Sequence, residues 1–83
     1  MNEGVTDARD RLLLDYFAQL VRLARGVKEE REALVATGDG GMLIGRSMAY
    51  YEALVLLQRQ LVALGLSGRF PVIMAFDAEH ELL

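Results

Sequence analysis

The segment Gly40–Ser47, with the sequence GGMLIGRS, is the part of the chain that most resembles a known chemical motif. Over eight positions it matches the phosphate-loop pattern Gly-x-x-x-x-Gly-Lys-Ser/Thr, except that Arg46 stands in place of the lysine. In that motif, backbone N–H groups at a helix N-terminus surround the phosphates, the lysine neutralises charge and the hydroxyl holds magnesium. The pattern raises a nucleotide-binding hypothesis, which depends on the elements around the segment.

The surroundings of this segment do not favour nucleotide hydrolysis. A phosphate loop follows a buried strand, whereas the run of charged residues at 28–32 indicates a helix before Gly40. A chain of 83 residues is also short for the parallel sheet that carries such a loop. We therefore interpret residues 40–47 as a turn before a second helix. Binding of an anion or a nucleotide phosphate by Gly45, Arg46 and Ser47 is kept as the alternative function.

Residue types for catalysis or metal binding are scarce. The chain has no cysteine and one histidine, His80, so the sequence offers no nucleophile–base pair of the usual kinds. Asp77 shares a helical face with His80, but a metal site there would need the histidine of a second copy. We expect a solvated His80, no catalytic residue, no metal and no cofactor, and hence a protein that is not an enzyme.

Charge and hydropathy exclude further classes. The net charge is −3, and Arg22 and Arg25 alternate with acidic residues, which makes nucleic-acid binding unlikely. The first ten residues are polar and do not resemble a signal peptide. The longest apolar stretch, 48–66, is interrupted by Glu52, so no membrane span is expected. A cytoplasmic location is therefore predicted.

A long first helix is predicted over about residues 7–37, with Thr6 or Asp7 as its N-cap. Apolar residues recur at steps of three, four and seven, which is typical of a helix with one buried face. The members of this stripe are Leu13, Phe17, Leu20, Ala24, Val27 and Leu34, and it is widened on one side by Leu12, Tyr16 and Leu23. Gly26 lies inside the helix, where it marks a kink or a close approach of another backbone.

The second helix is predicted over about 47–65, with Ser47 as its N-cap and Gly65 at its end. A Gly-rich loop at 38–46 joins the two helices, which form an antiparallel hairpin. The second helix is apolar nearly all round, and such a helix is buried on more than one side.

The C-terminal part is predicted as a short β-like segment at about 69–76, because an apolar run of strand length follows Arg69. Asp77 is expected to cap a last short turn within the tail 77–83, and residues 1–5 are expected to be a disordered tail. The whole chain, 1–83, is interpreted as one mainly α domain.

Self-association is the central expectation. Fifty-three per cent of the residues are apolar, more than so small a chain buries on its own. We expect a homodimer or a higher helical assembly. Its interface residues are predicted as Leu13, Phe17, Leu20, Tyr51, Val55, Val62, Phe70, Val72 and Met74. The function predicted is that of a small non-enzymatic accessory module for protein–protein interaction, whose partners are its own copies and, in addition, another protein.

Overall fold

The computed structural model describes residues 7–35 and 41–83. The elements are α1 (Ala8–Val35), α2 (Gly41–Ala63), a 3₁₀ turn (Ser67–Arg69), α3 (Pro71–Ala75) and α4 (Ala78–Leu82). The two long helices pack against each other, and every regular element of the described part is helical. The prediction of a mainly α fold is therefore confirmed. The expected tail at 1–5 and the start of the expected loop, 38–40, lie outside the described residues.

Helix α1 begins as predicted. The backbone N–H of Arg9 donates to Asp7 Oδ1 at 2.8 Å, which satisfies one of the donors left free in the first turn. The helix runs through Gly26 without a break, so Gly26 marks no interruption. Outside the helix's own backbone and the neighbouring residues, no atom of the described residues lies within 4 Å of the position that a Cβ would take there, so the described part of the chain makes no close backbone approach at Gly26.

Helix α2 begins earlier than predicted, at Gly41 instead of Ser47. The expected Gly-rich loop is therefore wrong over residues 41–46, which form the first turns of the helix. The reason is burial: Leu43 lies on the same helical face as Leu54 and Leu61, and all three are buried. Burying Leu43 against the rest of the core offsets the cost of about 1 kcal/mol of placing Gly45 inside a helix.

The end of α2 at Gly65 is as predicted. Gly65 has a φ of 73°, the left-handed conformation that glycine adopts readily. The N–H of Leu66 donates to the Leu61 carbonyl at 2.8 Å, and the N–H of Gly65 donates to the Val62 carbonyl at 3.0 Å. These two bonds form a Schellman motif, which satisfies carbonyls at the helix end and turns the chain back.

The prediction of a β-like segment at 69–76 is wrong. Pro71 begins the short helix α3, because its fixed φ suits the first helical position and its missing N–H is not needed there. Ile73 is fully buried whereas Val72 is 66 % exposed, so burial follows a helical face. For an apolar run of this length, periodicity alone does not distinguish a strand from a buried helix.

Helix α4 confirms the expected last turn. Asp77 is its N-cap, since Asp77 Oδ1 accepts a hydrogen bond from the His80 N–H at 3.1 Å. Ala78 and Leu82 are buried, so the last residues of the chain belong to the core. The core consists of buried residues from all four helices and of Phe70, which lies between the 3₁₀ turn and α3. Its members are Phe17, Val21, Ala24, Leu54, Leu61, Phe70, Ile73, Ala78 and Leu82.

Helices α3 and α4 cover one side of the α1–α2 pair. The two long helices are antiparallel, because Arg69, after the end of α2, pairs with Asp10 at the start of α1 at 2.8 Å. Val21 on α1 lines a cleft with residues of α3 and α4, and Gln58 on α2 donates hydrogen bonds to backbone carbonyls at Ile73 and Phe76. The opposite side of the pair, which we call the open face, lies half a helical turn from these residues. Its members are exposed: Leu12, Tyr16, Leu23, Met42, Ala49, Ala53 and Leu56.

Candidate functional site

The residues expected to bind an anion lie inside α2. Gly45, Arg46 and Ser47 are beyond the first four helical positions, so their backbone N–H groups are used within the helix. Arg46 is exposed and Ser47 is 2 % exposed, and the two side chains leave the helix about a quarter turn apart. The alternative function therefore loses the free amides on which it was based.

Ser47 has an unusual environment. Its side chain lies on the buried face of α2, and its Oγ has no hydrogen-bond partner among the described residues. Burying a hydroxyl without a partner costs about 1–3 kcal/mol. The serine is small, and this is the property that suits a position between two packed helices.

His80 and Asp77 do not form a metal site in the described part of the chain. Both are exposed, and the Asp77 carboxylate serves as the N-cap of α4. No group of three or more metal-ligating side chains occurs among residues 7–35 and 41–83.

A cleft of about 640 Å³ lies between α1 and the α3–α4 side. Its floor includes Phe17 and Phe76, whose rings meet edge to face with centroids 5.7 Å apart. At its rim the Arg25 guanidinium lies 5.9 Å from the centre of the Phe76 ring, and Arg25 Nη2 lies 3.2 Å from Glu81 Oε1. These charged and aromatic side chains contact one another, as side chains do where helices pack together.

Cations on α1 hold the C-terminal end of α4. Lys28 Nζ donates to the Glu81 carbonyl at 3.0 Å, and Arg31 Nη1 donates to the Leu82 carbonyl at 3.3 Å. These carbonyls carry the negative end of the helix dipole, so positive groups stabilise them. At the other end of the molecule, the hydrogen bond from Arg69 to Asp10 raises the pKa of the Arg69 guanidinium.

The structure divides the predicted interface residues into two groups. Phe17 and Phe70 are buried within the subunit, and five others pack partly buried against its core: Leu13, Leu20, Tyr51, Val55 and Met74. Val62 and Val72 are exposed. Much of the surface expected between chains is therefore used inside one chain.

The open face carries a groove with exposed apolar side chains beside it. The groove has a volume of about 330 Å³ and is lined by Leu20, Arg46, Ala49, Tyr50 and Ala53. On α1, Leu12 is 71 % and Tyr16 60 % exposed, and on α2, Leu56 is 57 % exposed. Arg46 makes no hydrogen bond or ion pair within the described part of the chain. The groove is lined mainly by apolar side chains with the Arg46 cation at its edge, and exposed Gln19 and Gln60 share the open face with the apolar residues.

Sequence reasoning did not identify this surface as a site. Leu12, Tyr16 and Leu23 follow helical spacing, and the pattern was interpreted as a wider core stripe of α1. A second pattern in the sequence could have identified the groove. Ala49 and Ala53 are small and lie one helical turn apart, which marks a shallow place on the surface of α2. Only the placement of α3 and α4 decides which apolar side of the helix pair remains uncovered.

The chain matches no protein-family model, and it has no significant match among curated proteins or among solved structures. The described helices include none that is both long and apolar enough to cross a membrane. The function is therefore argued from the residues of the chain itself.

Proposed function

We propose that this protein is a non-enzymatic protein–protein interaction module that acts as a helical homo-oligomer in the cytoplasm. The observation that supports the proposal is the open face, where exposed Leu12, Tyr16 and Leu23 of α1 lie beside a groove on α2. Monomeric proteins rarely leave contiguous apolar patches larger than a few hundred Å² in contact with water. Covering this side with a second helical layer would give α2 the burial that its composition favours.

The non-enzymatic part of the proposal is based on how the polar groups are used. Around the cleft, Arg25 pairs with Glu81, and Asp77 caps α4. These three groups hold helices together, and each would have to leave its structural partner to act as a general acid or base. His80 also lines the cleft, with an exposed imidazole that has no side chain bonded to it among the described residues. This arrangement suits an accessory role, because the open face can bind a second copy and the side that carries α3 and α4 can then bind another protein.

Sedimentation velocity on the full chain at micromolar concentration tests the proposal. The subunit mass is 9.2 kDa, so a homodimer has about twice that mass and is easily distinguished from a monomer. We expect the dimer, or a larger closed assembly, to predominate. A compact monomer over the whole concentration range would overturn the proposal.

A further inference from the structure

We infer that the open face binds a second copy of this chain about a two-fold axis, with Tyr16 of each copy inserted in the groove of the other. The inference rests on the proposed function, since it gives the geometry of the same self-association. It shares Leu20 with the interface predicted from sequence and otherwise uses other residues, on the side of the α1–α2 pair away from α3 and α4.

The groove and the side chain that fills it lie next to each other on one face. Tyr16 is one helical turn before Leu20, and Leu20 forms one wall of the groove. A two-fold axis that passes midway between Tyr16 and the groove places the Tyr16 side chain of each copy against the groove of the other copy. Both grooves are then filled, and the assembly closes as a dimer.

The chemistry of the groove suits a tyrosine. Ala49 and Ala53 have small side chains, which leave space on α2, and Leu20 and Tyr50 supply apolar walls. Arg46 lies at the edge with no partner within the described residues, so its guanidinium is available to stack on an aromatic ring. A tyrosine buries its ring there while its hydroxyl reaches the wet edge. A leucine would gain the burial without the contact to the arginine.

The size of the face suits a second copy. A helix of 23 residues such as α2 is about 35 Å long. The two shorter extents of the molecule are 22 and 16 Å. The outline of a face of this length and width is on the order of 550–750 Å², at the lower end of the roughly 600–1,000 Å² that each partner buries in a stable complex. The dimer therefore uses nearly the whole open face.

Cross-linking between two single-cysteine variants tests the geometry. The natural chain has no cysteine, so each variant has a single reactive thiol. Leu12→Cys, one helical turn before Tyr16 on the open face and 71 % exposed, keeps the anchor and is mixed with Ala49→Cys carrying a size tag, equilibrated, and treated with a short bismaleimide. Val72→Cys replaces Leu12→Cys in the matched control, because Val72 is also well exposed but lies on α3, away from the open face. All three positions are exposed, so folding is preserved and is checked by circular dichroism.

We expect the 12–49 product between differently sized chains to exceed the 72–49 product by at least about tenfold. Equal yields in a protein that sediments as a dimer would overturn this geometry and leave the proposed function standing. A protein that sediments as a monomer would overturn both.

A second pair of variants tests the aromatic contact. Tyr16→Phe keeps the ring, so we expect its dissociation constant to stay within about threefold of the natural one. Tyr16→Leu should raise the dissociation constant at least about tenfold, as truncation of a central aromatic anchor does. If the leucine variant associates as tightly as the natural chain, Tyr16 is not the anchor and the inference is wrong.

Discussion

Gln58 on α2 holds both the interior and the end of α3 through one amide group: its Nε2 lies 2.9 Å from the Ile73 carbonyl oxygen and 2.8 Å from that of Phe76. The two carbonyls belong to the C-terminal part of a five-residue helix, which has few internal hydrogen bonds of its own. A side chain half-buried on the long helix therefore fixes the short one in place.

Replacing Gln58 by leucine is expected to lower the free energy of unfolding by about 1–3 kcal/mol, because the Phe76 carbonyl loses its side-chain donor and the Ile73 carbonyl keeps only the longer bond from the Phe76 N–H at 3.3 Å. Arg59→Leu is the control, since Arg59 is exposed on the same helix and lines a groove with Gln58 and Val62, off the open face. Urea denaturation at one protein concentration measures both. Equal losses in the two variants would mean that the bonds to α3 contribute nothing specific.

Two glycines should respond in opposite directions to the same substitution. Gly26→Ala is expected to raise the free energy of unfolding by about 0.5–1 kcal/mol, because alanine is the better helix former and no atom within 4 Å obstructs its Cβ. Gly65→Ala should lower it by about 1–2 kcal/mol, because alanine is disfavoured at a φ of 73°. Thermal melting at a fixed concentration measures both. Effects of the same sign would contradict the helical conformation assigned to Gly26 and the left-handed conformation assigned to Gly65.

Removing the buried hydroxyl of Ser47 should stabilise the protein. Ser47→Ala takes away a group without a hydrogen-bond partner in the described part and adds a better helix former, so we expect a gain of about 1 kcal/mol. Ser67→Ala, in the half-buried 3₁₀ turn, should change stability by less than about 0.5 kcal/mol. A clear loss in Ser47→Ala would show that the hydroxyl is bonded in solution.

The docking of α4 should depend on a cation of α1. Lys28→Met keeps most of the apolar stem and removes the ammonium that donates to the Glu81 carbonyl. We expect faster hydrogen exchange at the amides of Leu82 and Leu83, with a loss of stability below about 1 kcal/mol. Arg22→Met, at an exposed site on the same helix, is the control. Unchanged exchange in Lys28→Met would show that burial of Leu82 alone holds α4.

Features set by local chemistry could be predicted from the sequence. The N-caps Asp7 and Asp77 and the C-terminal glycine Gly65 depend on residues a few positions away, and the structure confirms all three. The central apolar stripe of α1 likewise identified the side that packs on the core, whereas the residues that widen it, Leu12, Tyr16 and Leu23, are exposed.

Features that depend on the rest of the fold were not predicted. The extension of α2 over residues 42–44 depends on the buried site of Leu43. Local spacing in the sequence does not reveal that site. The run after Pro71 is helical because Ile73 is buried and Gln58 reaches its carbonyls from another helix. The open face depends on which side α3 and α4 occupy, so Tyr16 could be placed on an apolar stripe but not at a site.

Sedimentation velocity of the natural chain beside Tyr16→Glu and Val72→Glu tests self-association through the open face most directly. Both substitutions place a carboxylate at an exposed apolar position, and only the first lies on the open face. We predict that the natural chain and Val72→Glu sediment as dimers and that Tyr16→Glu sediments as a folded monomer. A natural chain that stays monomeric, or a Tyr16→Glu variant that dimerises as well as Val72→Glu, would contradict it.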